Sequence, residues 1–252
     1  MQMLPVEGKS PASADILSWP LDRRIARTRR YGNGRILFHQ GMPVECVYEI
    51  VSGMLKLSKV TSDGHLLVLD FAVAGDVVGI ADEQDYSYTA QVVGEAELHV
   101  IPRGLLMQAV EGDAGGERLL RLAAQHERTT YDHVLLLSLR HPPARVSAFL
   151  LWMASRQSAA TGSPGRRLRL PMARRDIAGY LAIAPETLCR IMRQLREAGI
   201  INVIRCDFVE IVDFEQLCEL ADGCRLPGAG DDGEPHRSSG PSTEGLPRSS
   251  GA

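Results

Sequence analysis

The chain changes its punctuation at Pro102. Between Tyr31 and Pro102 the apolar runs are short, among them Ile36 to Phe38, Val47 to Val51, Leu55 to Leu57, Leu66 to Phe71, Ala90 to Val93 and Leu98 to Ile101. They are separated by Gly41, Ser52-Gly53, Asp63-Gly64, Gly75-Asp76 and Gly94. Glycine at such close intervals destabilises helices, whereas short strands need turn residues at this spacing. Asp63-Gly64 between two apolar runs predicts a hairpin. An all-β roll or barrel of about eighty residues is expected. After Pro102 the punctuation stops. Leu105 to about Arg140 reads as helix, with apolar clusters at Leu119, Leu120, Leu122 and Ala123 and again at Val134 to Leu137. Its middle, His126 to His133, is polar, so a heptad pattern is only partly met. Pro142-Pro143 ends that helix and marks a hinge, and Ala144 to Ser155 forms a second helical segment. A turn-rich stretch, Ala160 to Gly165, follows.

With 252 residues, 44% hydrophobic and 23% charged, the chain has room for two modest cores and the balance of a folded protein. A membrane span is not expected, because the best apolar run, Val134 to Leu139, is short and closes on Arg140. The first twenty residues carry Glu7, Lys9 and Asp15 and lack an apolar core for a secretory signal, so a cytoplasmic protein is expected. The five cysteines, Cys46, Cys189, Cys206, Cys218 and Cys224, form no C-x-x-C pair, and free thiols are the simplest reading. Residues 1–20 read as a mobile arm and residues 223–252, rich in Gly, Pro and Ser, as a disordered tail.

The net charge of -3 conceals an asymmetry: from Arg166 to Arg205 nine arginines face only Asp176, Glu186 and Glu197. Inside this basic stretch Ile177, Ala178 and Leu181 fit one buried helix face, and Ala182 to Ala184 form a tight turn. Pro185 stands where a second helix would have its first residue. Leu188, Ile191, Met192 and Leu195 then recur at helical spacing, and Gly199 falls where a left-handed C-cap belongs. Ile200 to Ile204 and Phe208 to Val212, around Arg205-Cys206-Asp207, make a small hairpin. The order is helix, turn, helix, wing. The outward face of the second helix carries Glu186, Cys189, Arg190 and Arg193, with Thr187 beside them. Arginine can donate bidentately to guanine and glutamate can accept from cytosine, so a face of this kind suits the major groove. Arg174 and Arg175 at the first helix add positive charge for phosphates. The plain alternative is a Glu186–Arg190 surface pair worth a few tenths of a kcal/mol.

The segment Pro171 to Arg190, P-M-A-R-R-D-I-A-G-Y-L-A-I-A-P-E-T-L-C-R, resembles the helix-turn-helix of the FixK-like branch of CRP/FNR-family transcription regulators. The resemblance runs from about Leu21 to Leu220. It implies an α+β chain with an N-terminal cyclic-nucleotide-binding-type β-roll (residues 21–104), a helical region with a long dimerisation helix (105–141) and a C-terminal winged helix-turn-helix (142–222). It further implies a homodimer on double-stranded DNA at palindromic promoters, acting on RNA polymerase, as an activator. Leu119, Leu122, His126, His133 and Leu137 are the expected dimer contacts.

Departures from the family pattern narrow the subtype. Cyclic-AMP-binding members have a Gly-Glu segment and an Arg-Ser or Arg-Thr pair around the phosphate, but Gly75 to Asp82 and Tyr86 to Thr89 offer Ile80 and Tyr86. An anionic phosphate would be buried without a countercharge. No cysteine occurs in the first 45 residues, where oxygen-sensing relatives hold an iron-sulfur cluster. Neither cofactor, nor a metal, is expected. Pro185 replaces the arginine that CRP has before the shared glutamate, which implies a TTGAT-type half-site. Ala173 stands where serine often caps the first helix, leaving Asp176 without its capping-box partner. Cys189 takes the usual serine position, and a thiol at a DNA-facing surface is a redox candidate, because its oxidation adds negative charge against phosphate. The competing expectation is an effector-gated regulator that binds haem or another small ligand in the roll, with His39, His65 and His99 as scattered candidates. No G-x-x-x-x-G-K-[ST], G-x-S-x-G or H-E-x-x-H motif supports an enzyme.

Overall fold

The computed structural model describes residues 27–80, 84–110, 113–161 and 165–223. The arm at 1–20, the tail beyond Gly223 with Cys224, and Ala81-Asp82 lie outside the described residues, as does part of the turn at 160–165.

Strands β1 (Arg27–Tyr31), β2 (Ile36–Phe38), β3 (Cys46–Val60), β4 (Leu66–Val73), β5 (Val77–Val78) and β6 (Thr89–Pro102) form one antiparallel sheet in the order β1-β6-β3-β4, with β2 on β6 and β5 on β3. The hairpin at Asp63-Gly64 joins β3 to β4: Gly64 has φ 85° and its amide donates to Thr61 O at 2.9 Å. Two other glycines do not end strands as their spacing suggests. Gly53 lies inside β3 and Gly94 inside β6, where the pairing register shifts between Ile50, Ser52 and Met54. These long strands bend through bulges, which is how one sheet curls into a roll. Gly53 has φ 94°, and a Cβ there would lie 2.3 Å from Glu95 O. Gly53→Ala is therefore expected to cost about 3 kcal/mol of unfolding free energy, from strain and backbone collision together. Urea unfolding of the variant checks this. The inside of the roll is filled by Phe38, Tyr48, Ile50, Leu55, Tyr86 and Leu98.

Helices α1 (Arg103–Val110), α2 (Asp113–Ser138) and α3 (Pro142–Thr161) follow. Pro142 and Pro143 open α3 rather than lying between helices, since proline in a first turn forfeits no intrahelical bond. The last part is β7 (Arg167–Arg169), α4 (Arg174–Tyr180), α5 (Pro185–Glu197), β8 (Ile201–Arg205), β9 (Phe208–Ile211) and α6 (Phe214–Ala221). Strand β7 widens the expected hairpin to a three-stranded sheet, β7-β9-β8. Helix α6 is capped by Asp213, whose carboxylate accepts the Gln216 amide at 2.9 Å.

A second core crosses from roll to C-terminal module. Met54, Val68, Phe71, Val73 and Val93 of the roll pack with Val146, Phe149 and Met153 of α3 and with Ile177, Tyr180 and Leu181 of α4. Tyr180 is the hub: its ring lies 5.4 Å from Phe71, 5.8 Å from Phe149 and 3.9 Å from His133, which is stacked on it. Polar links fasten the same joint. Lys56 of β3 pairs with Asp176 of α4 at 3.1 Å, both largely buried. Arg156 of α3 pairs with Asp76 of the β4–β5 turn and lies over the Trp152 ring. Gln125 of α2 donates to the other Asp76 oxygen at 3.2 Å.

Asp70 lies deep in this joint and accepts the Phe71 amide at 2.7 Å. Burial raises its carboxyl above the ordinary 3.8, Arg156 opposes the rise and Asp76 adds to it. A carboxyl raised in the folded state binds more protons folded than unfolded, so its charged form destabilises the fold above the raised pKa, and that penalty vanishes below the unfolded value. Asp70→Asn is expected to raise the melting temperature at about pH 8 and to lose this advantage as pH falls toward about 4. Thermal melts across that range test it.

Candidate nucleic-acid interface

The helix-turn-helix is built by two linked end-caps. After α4 the chain enters the left-handed region at Ala182, φ 51°. Ile183 N donates to Ala178 O at 3.0 Å and Ala182 N to Gly179 O at 3.2 Å, the bond pair of a Schellman end. Alanine here costs about 1 kcal/mol relative to glycine. Ile183 and Ala184 then deliver Pro185 to the first turn of α5. At the far end Gly199 has φ 74° and Ile200 N donates to Leu195 O at 3.0 Å, the same motif with the expected glycine. Ala173 at the start of α4 provides no side-chain cap. The free Asp176 carboxylate goes instead to Lys56, which ties the first helix of the motif to the roll.

Leu188, Ile191, Met192 and Leu195 bury one side of α5. Glu186, Cys189, Arg190 and Arg193 share the exposed side, with Thr187 half-buried at its margin. Among the described residues, neither Arg190 nor Arg193 has an ion-pair or hydrogen-bond partner, and Glu186 does not pair with Arg190. The Glu186–Arg190 surface pair is thus not formed, and two guanidinium groups and a carboxylate stand free on one face. Arg175 is exposed and Arg174 half-buried at the start of α4, and Arg205 is exposed on the wing. The wing is anchored from behind, as Leu170 N donates to Asp207 O at 2.7 Å and Arg169 lies 3.8 Å from the Asp207 carboxylate.

On α2 the structure separates residues that the sequence had grouped. His133 is engaged within its own chain: its Nε2 lies 2.8 Å from Tyr180 O, and its ring stacks on Tyr180. Leu137 packs against the shared core. Leu119 and Leu122 are half-buried and His126 is exposed. Among the described residues, the large apolar side chains that α2 leaves exposed are Leu120, Tyr131, Val134 and Leu135. The C-terminal module occupies the side of α2 that holds His133 and Leu137.

Around the segment where a cyclic nucleotide would be held, the Gly79 amide donates to the Tyr88 hydroxyl at 2.9 Å. Tyr86 is buried, stacked on Phe38 and hydrogen-bonded through its hydroxyl to the Cys46 backbone. Of the histidines in the roll, His65 is exposed beside Asp63, and His99 lies 3.0 Å from the Thr28 hydroxyl. Among the described residues no group of three His, Cys, Asp or Glu side chains could hold a metal ion, and no helix is long and apolar enough to cross a membrane. Cys46, Cys189, Cys206 and Cys218 are free thiols.

A β-roll joined through a long helix to a winged helix-turn-helix defines a class of DNA-binding transcription regulators. Residues 144–220 match the Crp-like helix-turn-helix domain and residues 28–113 the cyclic nucleotide-binding domain. The chain is 31% identical over 201 residues to the transcriptional activatory protein AadR of Rhodopseudomonas palustris, covering 79% of this chain and 82% of that one. It is 29% identical to the nitrogen fixation regulation protein FixK of Rhizobium meliloti, over 87% of this chain and 95% of the relative. The structure of FixK2 from Bradyrhizobium japonicum superposes with a TM-score of 0.71 at 27% identity, across 78% of this chain and 97% of that one. The chain belongs to the CRP/FNR family of transcription regulators and is FixK-like.

Proposed function

We propose that this protein is a homodimeric transcription activator that reads a TTGAT-type palindrome through Glu186 and Arg190 and acts on RNA polymerase at the promoter, with no cyclic nucleotide or iron-sulfur cofactor. The observation that carries the reading is the exposed face of α5, where Glu186, Arg190 and Arg193 stand unpaired beside Cys189 and Thr187. A surface arginine with no internal partner reaches a guanine edge without breaking an existing contact. Arg174 and Arg175 supply phosphate contacts that set register. Dimerisation runs along α2, where Leu120, Tyr131, Val134 and Leu135 are exposed. Its two-fold axis matches the palindrome.

Independence from cyclic nucleotide is supported by the charges between the roll and its helices. Asp70 and Asp76 are there, and the guanidinium of Arg156 is already engaged by Asp76. A cyclic phosphate would meet two carboxylates, and the charge of Arg156 is already matched by Asp76, although its Nη1 has no hydrogen-bond partner. A gel shift with purified, ligand-free protein on a TTGAT palindrome tests the reading. Nanomolar, salt-dependent retardation supports it, and binding only after an effector is added favours the effector-gated alternative.

Cys189 is the redox element of this proposal. It is exposed on the reading face, one residue before Arg190. Oxidation to a sulfinate or attachment of glutathione places charge or bulk against the groove and opposes binding. Peroxide or diamide is expected to suppress the wild-type gel shift, with early rescue by reductant, and to leave Cys189→Ser unaffected. Equal loss in the serine variant would remove Cys189 from this role.

A further inference from the structure

A groove of about 620 Å³ opens at the β1 edge of the roll, with no residue of α5 in its lining. Its size is that of small-molecule sites in general. Side chains alternate along β1, so Arg27, Arg29 and Tyr31 share one face and Thr28 and Arg30 the other. The second pair is internally satisfied: Thr28 meets His99 at 3.0 Å and Arg30 meets Glu97 at 3.2 Å. The first face lines the groove, joined by Arg35. Among the described residues, no carboxylate pairs with Arg27, Arg29 or Arg35. The acid whose field reaches the groove residues Cys46 and Tyr48 is Glu45, one carboxylate against three guanidiniums.

The wall holds a second, independent feature. Tyr48 is only 9% exposed, and its hydroxyl has no hydrogen-bond partner among the described residues. Its remaining exposure is to the groove it lines. The hydroxyl opens onto the groove with no protein group among the described residues to accept from it, so a bound ligand can take its hydrogen bond in place of water. Burial raises its pKa, so it remains a donor. The rest of the lining is aliphatic: Ile36, Leu37, Val100, Pro102 and Leu105.

We propose that this groove binds an anionic amphiphile, a carboxylate on a medium-length aliphatic chain, with the head among Arg27, Arg29, Arg35 and the Tyr48 hydroxyl and the chain along Leu37, Val100 and Leu105. Unpaired donors on a cationic rim above an aliphatic floor suit a ligand that has both parts. Inorganic phosphate would leave the floor wet, and a cationic amphiphile would face three like charges. The site is separate from the Asp70–Asp76–Arg156 joint and does not depend on how the chain reads DNA.

The test uses the full chain and displacement of the fluorescent anion 1-anilinonaphthalene-8-sulfonate. The dye is expected to bind saturably at micromolar concentration and to be displaced by decanoate, but not by decyltrimethylammonium or inorganic phosphate. Tyr48→Phe keeps the ring against Phe38 and removes only the donor, and it should weaken decanoate about tenfold, as should Arg29→Ala. Arg29 is exposed, so that variant carries the test even if Tyr48→Phe unfolds. Decanoate should also slow alkylation of the half-buried Cys46, read by peptide mass, while leaving Cys189 unaffected. Absence of saturable binding overturns the proposal, and so does equal displacement by decyltrimethylammonium. Wild-type affinity in Arg29→Ala, with no protection of Cys46, places the dye on the apolar face of α2 instead and equally overturns it.

Discussion

Replacing Arg190 with alanine is expected to lower affinity for the palindrome about a thousandfold, with no change in melting temperature. A bidentate arginine–guanine contact is worth about 1–3 kcal/mol, and a two-fold dimer forfeits it in both half-sites, roughly 4 kcal/mol in all. The fold is spared because Arg190 touches nothing internal: it is exposed on the side of α5 opposite Leu188, Ile191 and Leu195. Fluorescence anisotropy at fixed salt, on the specific site and on a scrambled one, separates this loss from a general charge effect. Removing one phosphate-bound cation weakens both duplexes together, whereas removing a base reader weakens only the first. Glu186→Ala provides the contrast, relaxing preference at one G·C pair more than it lowers affinity. Unchanged discrimination in Arg190→Ala would remove α5 as the reader.

The second large effect is expected from Val134→Asp, which should give a monomer by sedimentation at micromolar concentration and weaken palindrome binding at least about a hundredfold. Val134 and Leu135 are each 59% exposed and Leu120 is 70% exposed, on a helix of 26 residues. Leu120 and Tyr131, with Val134 three residues further on, fall on a 3-4 pattern that includes Ala124 and Glu127. A carboxylate on this seam meets its own copy across the two-fold axis, and burying two unpaired charges costs several kcal/mol. Each monomer then holds a single half-site, and the gain from linked binding is lost. A charge at Leu137 is a less specific probe, because Leu137 packs into the shared core and its loss destabilises the chain itself. A Val134→Asp dimer that still binds the palindrome would place the interface elsewhere.

Both effects concern residues that local pattern could and could not assign. The outward face of α5 was legible because an amphipathic helix announces its buried side: once Leu188, Ile191, Met192 and Leu195 are assigned inward, Glu186, Arg190 and Arg193 can only point out. The turn was legible from Pro185 and Gly199, whose backbone preferences hold in any context. Left-handed Ala182 was not, since alanine does not announce a positive φ and only the paired caps impose it. Helix α2 was less legible for a related reason. It has two apolar stripes, and a one-dimensional pattern does not say which meets the same chain and which is left over.

Gly53 and Gly94 show the same division within the roll. As sequence they mark interruptions, and they are interruptions of register, but whether the chain turns back or bends onward is set by the partner strand running alongside. The sequence alone therefore determined the order of modules, the class of each, the helix-turn-helix and its outward arginines, because these rest on local propensity and on periodicities within a few turns of chain. Only the tertiary structure decided that one core spans the roll and the DNA module, that Asp176 is held by Lys56 of β3, that Tyr180 takes His133, and that Tyr48 faces a cationic groove with no partner. Those pairings join residues as far apart as Lys56 and Asp176, and nothing in the local energetics of either segment specifies its partner. They arise when the roll and the module bury their remaining apolar faces against each other and bring distant charges within reach.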